Sequence, residues 1–218
     1  SNVDLSGSDL SGIDLNVVGL SGSNLFGANL TDANFSGSDL SGNDLSGTIL
    51  TGADLSDANL SGVNLSDKDL REVNLSGVKL SWANLKNTNL SGLDLSLANL
   101  YYSNLSQADL SNTNITKAIL NNAKIINANL QNANLENAFM PDVNLSGANL
   151  QYAYLSGANL INANLENADI RNTLLDKQFV RATSNPNCGT GTIFKNGQCV
   201  AEQKTSSKGG GCLIATAT

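Results

Sequence analysis

A bulky apolar residue occupies every fifth position from Leu5 to Leu175, 35 times in succession. Thirty are Leu, and the others are Phe35, Ile115, Ile125, Met140 and Ile170. A period of five fits neither an α-helix at about 3.6 nor a flat strand at 2. It requires a chain that turns a corner every five residues. Around each apolar residue the pattern is regular, as in Ala53-Asp54-Leu55, Ala148-Asn149-Leu150 and Ala158-Asn159-Leu160. Two residues earlier the side chain is small, with Ala, Ser, Thr or Val at nearly all sites. One residue earlier it is usually Asn or Asp. The two following positions are polar, often Ser-Gly.

This unit resembles the consensus A(D/N)LXX of the pentapeptide-repeat family, and the resemblance covers residues 1–175. It implies an all-β fold, a right-handed quadrilateral β-helix in which four pentapeptides make one coil and residues 20 apart stack. Thirty-five units would then give just under nine coils, a rod about 40 Å long at strand spacing. The chemistry of the unit is consistent with this. Leu fills the interior, the small residue shares the same narrow lumen, and Gly with Asn or Asp serves the corners. A buried Leu contributes roughly 1.5–3 kcal/mol, against about 1–2 kcal/mol for ordering each residue. A single unit is therefore unstable, and only the stack holds.

Periodicity stops after Leu175, which divides the chain into a repeat domain (1–175), a cap or linker (176–187), a small hairpin (188–200) and a Gly-rich C-terminal stretch (201–218). Residues 176–183 include Phe179 and Val180 and are expected to cover the open coil end, since repeat rods need caps. In the hairpin segment, Asn196-Gly197 is the preferred two-residue turn and lies between Cys188 and Cys199. A disulfide between these two cysteines would close a 12-residue loop, typically worth roughly 2–4 kcal/mol, and would place the protein in an oxidising compartment. With no His and only two nearby Cys, zinc is disfavoured. The end, Gly209-Gly210-Gly211-Cys212-Leu213-Ile214, resembles a Gly-rich Cys-Phe-Ile-type C-terminal box of exported prokaryotic proteins, with Leu213 in place of the usual Phe. That resemblance implies surface attachment, sorting or processing. Cys212 is then the odd thiol, a candidate for intermolecular linkage, and the alternative is a flexible tail with an incidental Cys. The first residue, Ser1, falls inside the repeat without a Met, which suggests trimming or processing.

Composition narrows the chemistry. The chain has no His, which removes the commonest general base and metal ligand. Ser is abundant but has no base to activate it. No catalytic residue, cofactor or metal is expected, so the chain is not read as an enzyme. No apolar run reaches 18 residues, so no membrane-spanning segment is expected. The net charge of −7 is uneven: residues 1–67 hold nine acidic side chains and no basic one. In columns of 20-residue spacing, Asp14, Asn34, Asp54, Asn74, Asp94 and Asn114 form one face and Asp4, Asn24, Asp44 and Asn64 another. Alternation doubles the spacing between like charges to roughly 9–10 Å, which lowers their repulsion. Two readings stand, a solvated face kept tolerable by Asn and an acidic surface (Asp4, Asp14, Asp44, Asp54, Asp94) for a basic partner.

The irregular positions carry the remaining information. Asn43 and Lys68 break the small-residue rule at inward sites. A buried unpaired ammonium is costly, so Lys68 is expected to reach solvent or to find a hydrogen bond. On the outside, Trp82 and Tyr102 lie one coil apart with Tyr101 beside them, Ile119 and Phe139 form a second pair, and Ile161 follows on the same face. Such a stripe marks an interaction site if contiguous, whereas scattered surface aromatics need no explanation. Nine N-x-S/T sequons arise from the repeat itself and say nothing about glycans.

Two functions follow. The first is a non-enzymatic scaffold of the cell envelope or exterior, acting through protein contacts and self-assembly, with a filament subunit as a narrower form. It would be a homo-oligomer that binds no nucleic acid directly, with possible envelope attachment through its tail. The second follows from the family resemblance: some pentapeptide-repeat proteins bind DNA gyrase, their rods imitating duplex DNA. The acidic first third suits that cytoplasmic role, and the Cys-bearing tail suits the first.

Overall fold

The computed structural model describes residues 3–174 and, separately, the backbone of two strands near the C-terminus. Over 3–174 the five-residue pattern closes into a square coil. Parallel bridges join residues 20 apart in one register, from Asp4↔Asn24 to Tyr154↔Leu174. Four pentapeptides thus make one coil of a quadrilateral β-helix. Each side of the square is a single bridge residue per coil, not an extended strand. Sides 1 to 4 are numbered here by the outward columns that begin at Asp4, Asp9, Asp14 and Gly19.

The repeat Ala53 to Asp57 shows why the unit has its composition. Asp54 N–H donates to Ala33 O in the coil before, at 2.9 Å. Leu55 N–H and Asp57 N–H donate to Asn74 O and Ser76 O in the coil after, at 2.9 and 2.8 Å, and Ala58 N–H closes the corner on Leu55 O at 3.1 Å. The one amide left over, Ser56 N–H, donates to Asp54 Oδ1 at 2.9 Å. The outward Asn or Asp therefore satisfies the donor that the coil cannot reach. At the corner, the second residue after Leu has a positive φ throughout the described repeats, with Glu72 the sole exception. This conformation favours Gly and Asn, which explains their frequency there.

The interior is packed solid by the two inward residues of each unit. Leu25, Phe35, Leu85, Met140 and Leu150 are fully buried, as are Ala33, Ala98 and Ala153. Inward Ser and Thr return their hydroxyls to the chain, as Thr88 Oγ1 does to Leu85 O at 2.6 Å.

The bridge ladder breaks at three steps among the described residues, Asp44/Asn64, Ile49/Asp69 and Asn74/Asp94. Each break lies beside an inward residue longer than Val, namely Asn43, Lys68 and Leu93. Leu93, like Ile13 in the first coil, is a departure from the small-residue rule in addition to the two seen in the sequence. Lys68 resolves its burial as a hydrogen-bonded head. Its Nζ donates to Thr48 O at 2.9 Å, the carbonyl that Asp69 N–H would otherwise use. Burial also pushes the Lys68 pKa down. Asn43 has no such remedy: it is 4% exposed and neither Nδ2 nor Oδ1 has a partner. A side chain that spreads neighbouring coils by a fraction of an ångström is enough to lose a bond.

Near the C-terminus, β1 (Thr192–Lys195) pairs antiparallel with β2 (Gln198–Ala201), Lys195 opposite Gln198 and Phe194 opposite Cys199. Asn196-Gly197, the expected turn, falls between these strands in the sequence and lies outside the described residues. Cys188, Cys212, the cap segment and the C-terminal box lie outside the described residues, and so does the expected disulfide.

Candidate functional site

The outward positions are the variable part of the rod, and they fall into two groups. The first is the carboxylate set. Its members are built into the ladder: Asn34 Nδ2 donates to Asp14 Oδ1 at 3.0 Å, Asn74 to Asp54 at 2.9 Å and Asn114 to Asp94 at 3.0 Å. The same relation joins Asn24 to Asp4 at 3.1 Å. Alternating Asp with Asn thus supplies one donor for each acceptor as well as diluting charge. In these Asn-to-Asp pairs the donor comes from the later coil, so the ladder has a direction. Ser6 and Ser46, bonding from two residues on, hold the Asp4 and Asp44 carboxyls below the usual range. Asp4 and Asp44 belong to side 1, and Asp14, Asp54 and Asp94 to the opposite side 3. They do not form one acidic surface; the first third is acidic all round.

Three ladder positions depart from this. Asp69 and Asp169 take an arginine from two residues on, with Arg71 Nη2 at 2.7 Å and Arg171 Nη2 at 2.6 Å, and each guanidinium lowers the pKa of its carboxyl. Asp44 accepts only from its own corner, Ser46 N–H at 2.8 Å, because the break above it separates it from Asn64.

The second group is apolar and lies on side 4 and the corner that leads to side 1. Trp82 and Tyr102 stack with ring centroids 4.2 Å apart and planes 9° apart. Tyr101 meets both edge-on, at 5.9 Å from Trp82 and 4.5 Å from Tyr102. Trp82 is nonetheless 60% exposed. Ile119 and Phe139 bridge one another in the side 4 column, and both are exposed, as is Ile161 at the same corner as Trp82. The sequence-derived stripe therefore lies along one edge of the rod. Phe139 cannot accept the corner amide as Asn would, and the residue at that corner is Pro141, which has none. Exposed Phe26, Leu97, Tyr152 and Tyr154 were not singled out from the sequence. Their columns are shared with Ser, Asn and Gly, and no second aromatic marks them.

Among the described residues no group of three or more His, Cys, Asp or Glu is placed to hold a metal ion. No helix there is long and apolar enough to cross a membrane. The outward surface offers hydrogen-bonding amides, carboxylates and aromatic faces, which is the chemistry of binding.

Comparison with known proteins agrees with the geometry. A family model described as pentapeptide repeats matches in eight copies, over residues 20–57, 53–92, 79–116, 94–132, 103–140 and 140–176. Among solved structures, the chain is similar to HetL, a pentapeptide repeat protein involved in heterocyst differentiation regulation from the cyanobacterium Nostoc sp. strain PCC 7120. That match has 34% identity over 79% of this chain and 83% of HetL, with a TM-score of 0.40. It is also similar to Rfr23, a pentapeptide repeat protein from the cyanobacterium Cyanothece 51142, at 36% identity over 54% of this chain and 88% of that one, with a TM-score of 0.23. QnrB1, a plasmid-mediated fluoroquinolone resistance protein, matches at 18% identity over 82% and 94%, with a TM-score of 0.36. No curated protein sequence matches.

Proposed function

Because this chain belongs to the pentapeptide-repeat family, whose members form right-handed quadrilateral β-helices, we propose that it is a non-enzymatic scaffold of the cell envelope or exterior. In this reading it acts through protein–protein contacts, including contacts with copies of itself. The carrying observation is the exposed edge of Trp82, Tyr101, Tyr102, Ile119, Phe139 and Ile161 on a rod whose interior is filled by its own side chains. An exposed apolar row of this kind supports a role in protein contacts. We further take residues 176–187 to cap a rod of about nine coils, Cys188 and Cys199 to form a disulfide, and the tail ending in Cys212 to attach or link the protein. The test is recovery from the native source. Surface fractionation with non-reducing electrophoresis should find the protein outside the cytoplasm and oxidised; a reduced, purely cytosolic protein sinks this placement.

One observation favours the second reading, DNA mimicry toward gyrase or another DNA-binding protein. From Asp4 to Asp67 the rod spans 64 residues, or about 15 Å at 20 residues and ~4.8 Å per coil. Nine carboxylates over that length give one charge per ~1.7 Å, the linear density of duplex DNA. Supercoiling by gyrase that continues at saturating protein removes this reading.

A further inference from the structure

Side 1 carries a charge pattern that is complementary to itself. Its outward column runs Asp4, Asn24, Asp44, Asn64, Asn84, Asn104, Lys124, Asn144, Asn164. Asp44 and Lys124 lie two coils to either side of Asn84, and everything between them is neutral Asn. Both are exposed. The ladder break leaves Asp44 without the Asn donor that most other ladder aspartates have. Lys124 makes no ion pair among the described residues. At the level of Asn84, on the edge of this side, stands Trp82.

We infer that a second copy of this chain packs antiparallel on side 1, related by a two-fold axis at the level of Asn84. This inference rests on the self-association reading above and names its geometry. A two-fold axis lying in the plane of contact and perpendicular to the rods reverses the coil direction while keeping each column opposite itself. Asp44 of each copy then meets Lys124 of the other, twice per dimer. The two Trp82 side chains meet near the axis. Tyr102, one coil beyond Trp82, falls opposite Gly62 of the other copy, one coil before it. An added Cβ at Gly62 would meet nothing within 4 Å, so that corner has room for the ring. Lys86, on the far edge of side 1 near the axis, is the one unfavourable pairing and must turn outward to water.

Sedimentation equilibrium of the full chain in reductant, which removes any contribution from cysteine linkage, tests this. The wild type should dimerise. Lys124→Asp and Asp44→Lys should each weaken association roughly tenfold or more, since each creates two like-charge pairs. The double variant Asp44→Lys/Lys124→Asp should return to near the wild-type value, a recovery that a misfolded variant cannot give. Trp82→Ala should weaken association without altering the far-UV spectrum. If the wild type associates but the double exchange does not restore what the single changes remove, this interface is wrong while self-association stands. If the chain is a monomer at every concentration, both the interface and the self-association reading fall.

Discussion

Asn43 is the position where the fold is expected to gain most from one change. Its amide is buried in the lumen with both polar atoms unpartnered, and the bridge of the adjacent Asp44 to Asn64 is missing. Asn43→Val places there the residue found one coil later in the same column, Val63, which is itself 1% exposed. A buried polar group without a partner costs about 1–3 kcal/mol. Each ladder bond that re-forms adds about 1 kcal/mol. A gain near 2 kcal/mol corresponds to a rise in Tm of about 4–8 °C for a chain of this length. Circular dichroism melts of the two proteins report that rise, and hydrogen exchange of Asp44, Leu45 and Asn64 amides should slow in the variant. An unchanged or lower Tm would mean that the Asn43 amide has a partner in solution that Val removes, and that it is not an unsatisfied group.

Three further outcomes follow from the same geometry. Lys68→Ala should restore the Ile49/Asp69 bridge and stabilise the rod. Because burial lowers the folded-state pKa of Lys68, the wild type binds fewer protons than its unfolded chain between that value and the ordinary lysine value, so its stability should rise with pH across that window. Urea titrations from neutral pH to about pH 11 should show the rise in the wild type and its loss in Lys68→Ala. Asp54→Asn keeps the acceptor for Ser56 N–H and Asn74 Nδ2 and should leave Tm nearly unchanged, whereas Asp54→Ala loses both and should cost about 1–2 kcal/mol in the same melts. Hydrogen bonds lower the carboxyl pKa at Asp4, Asp9, Asp39 and Asp44, so they stabilise the fold above the unfolded carboxylate range. Melting temperature should therefore fall as pH drops through and below that range, and a flat acid profile would contradict the ladder.

The core was legible because one periodicity, Leu5 to Leu175, left a single way to bury every apolar residue. The role of the outward Asn and Asp was only partly legible. Charge dilution can be read from the column Asp14 to Asn114, but the use of Asp54 Oδ1 for the stranded Ser56 amide needs the corner geometry. The faults were half visible. Asn43 and Lys68 stand out as polar residues at inward sites, while Leu93 passes as ordinary because it is apolar, and only the lost Asn74/Asp94 bridge shows that length matters as well as polarity. The apolar edge was legible from 20-residue spacing, since Trp82 and Tyr102 share a column. The freedom of Asp44 was hidden, because it depends on a break caused by its neighbour. Sequence spacing placed Asp4 and Asp14 in separate columns, but that residues ten apart face opposite ways follows only from the square coil.

The ladder builds the rod, and in the proposed function the outward apolar edge carries its contacts. A variant that returns this edge to the repeat's own Ser, Gly and Asn tests it most directly: Trp82→Gly, Tyr101→Ser, Tyr102→Gly, Ile119→Asn, Phe139→Asn and Ile161→Ser together. Melting and sedimentation of this protein beside the wild type should show an unchanged or higher Tm with concentration-dependent association lost. Association that survives the change, or a rod that no longer folds, would contradict the division of labour between ladder and edge.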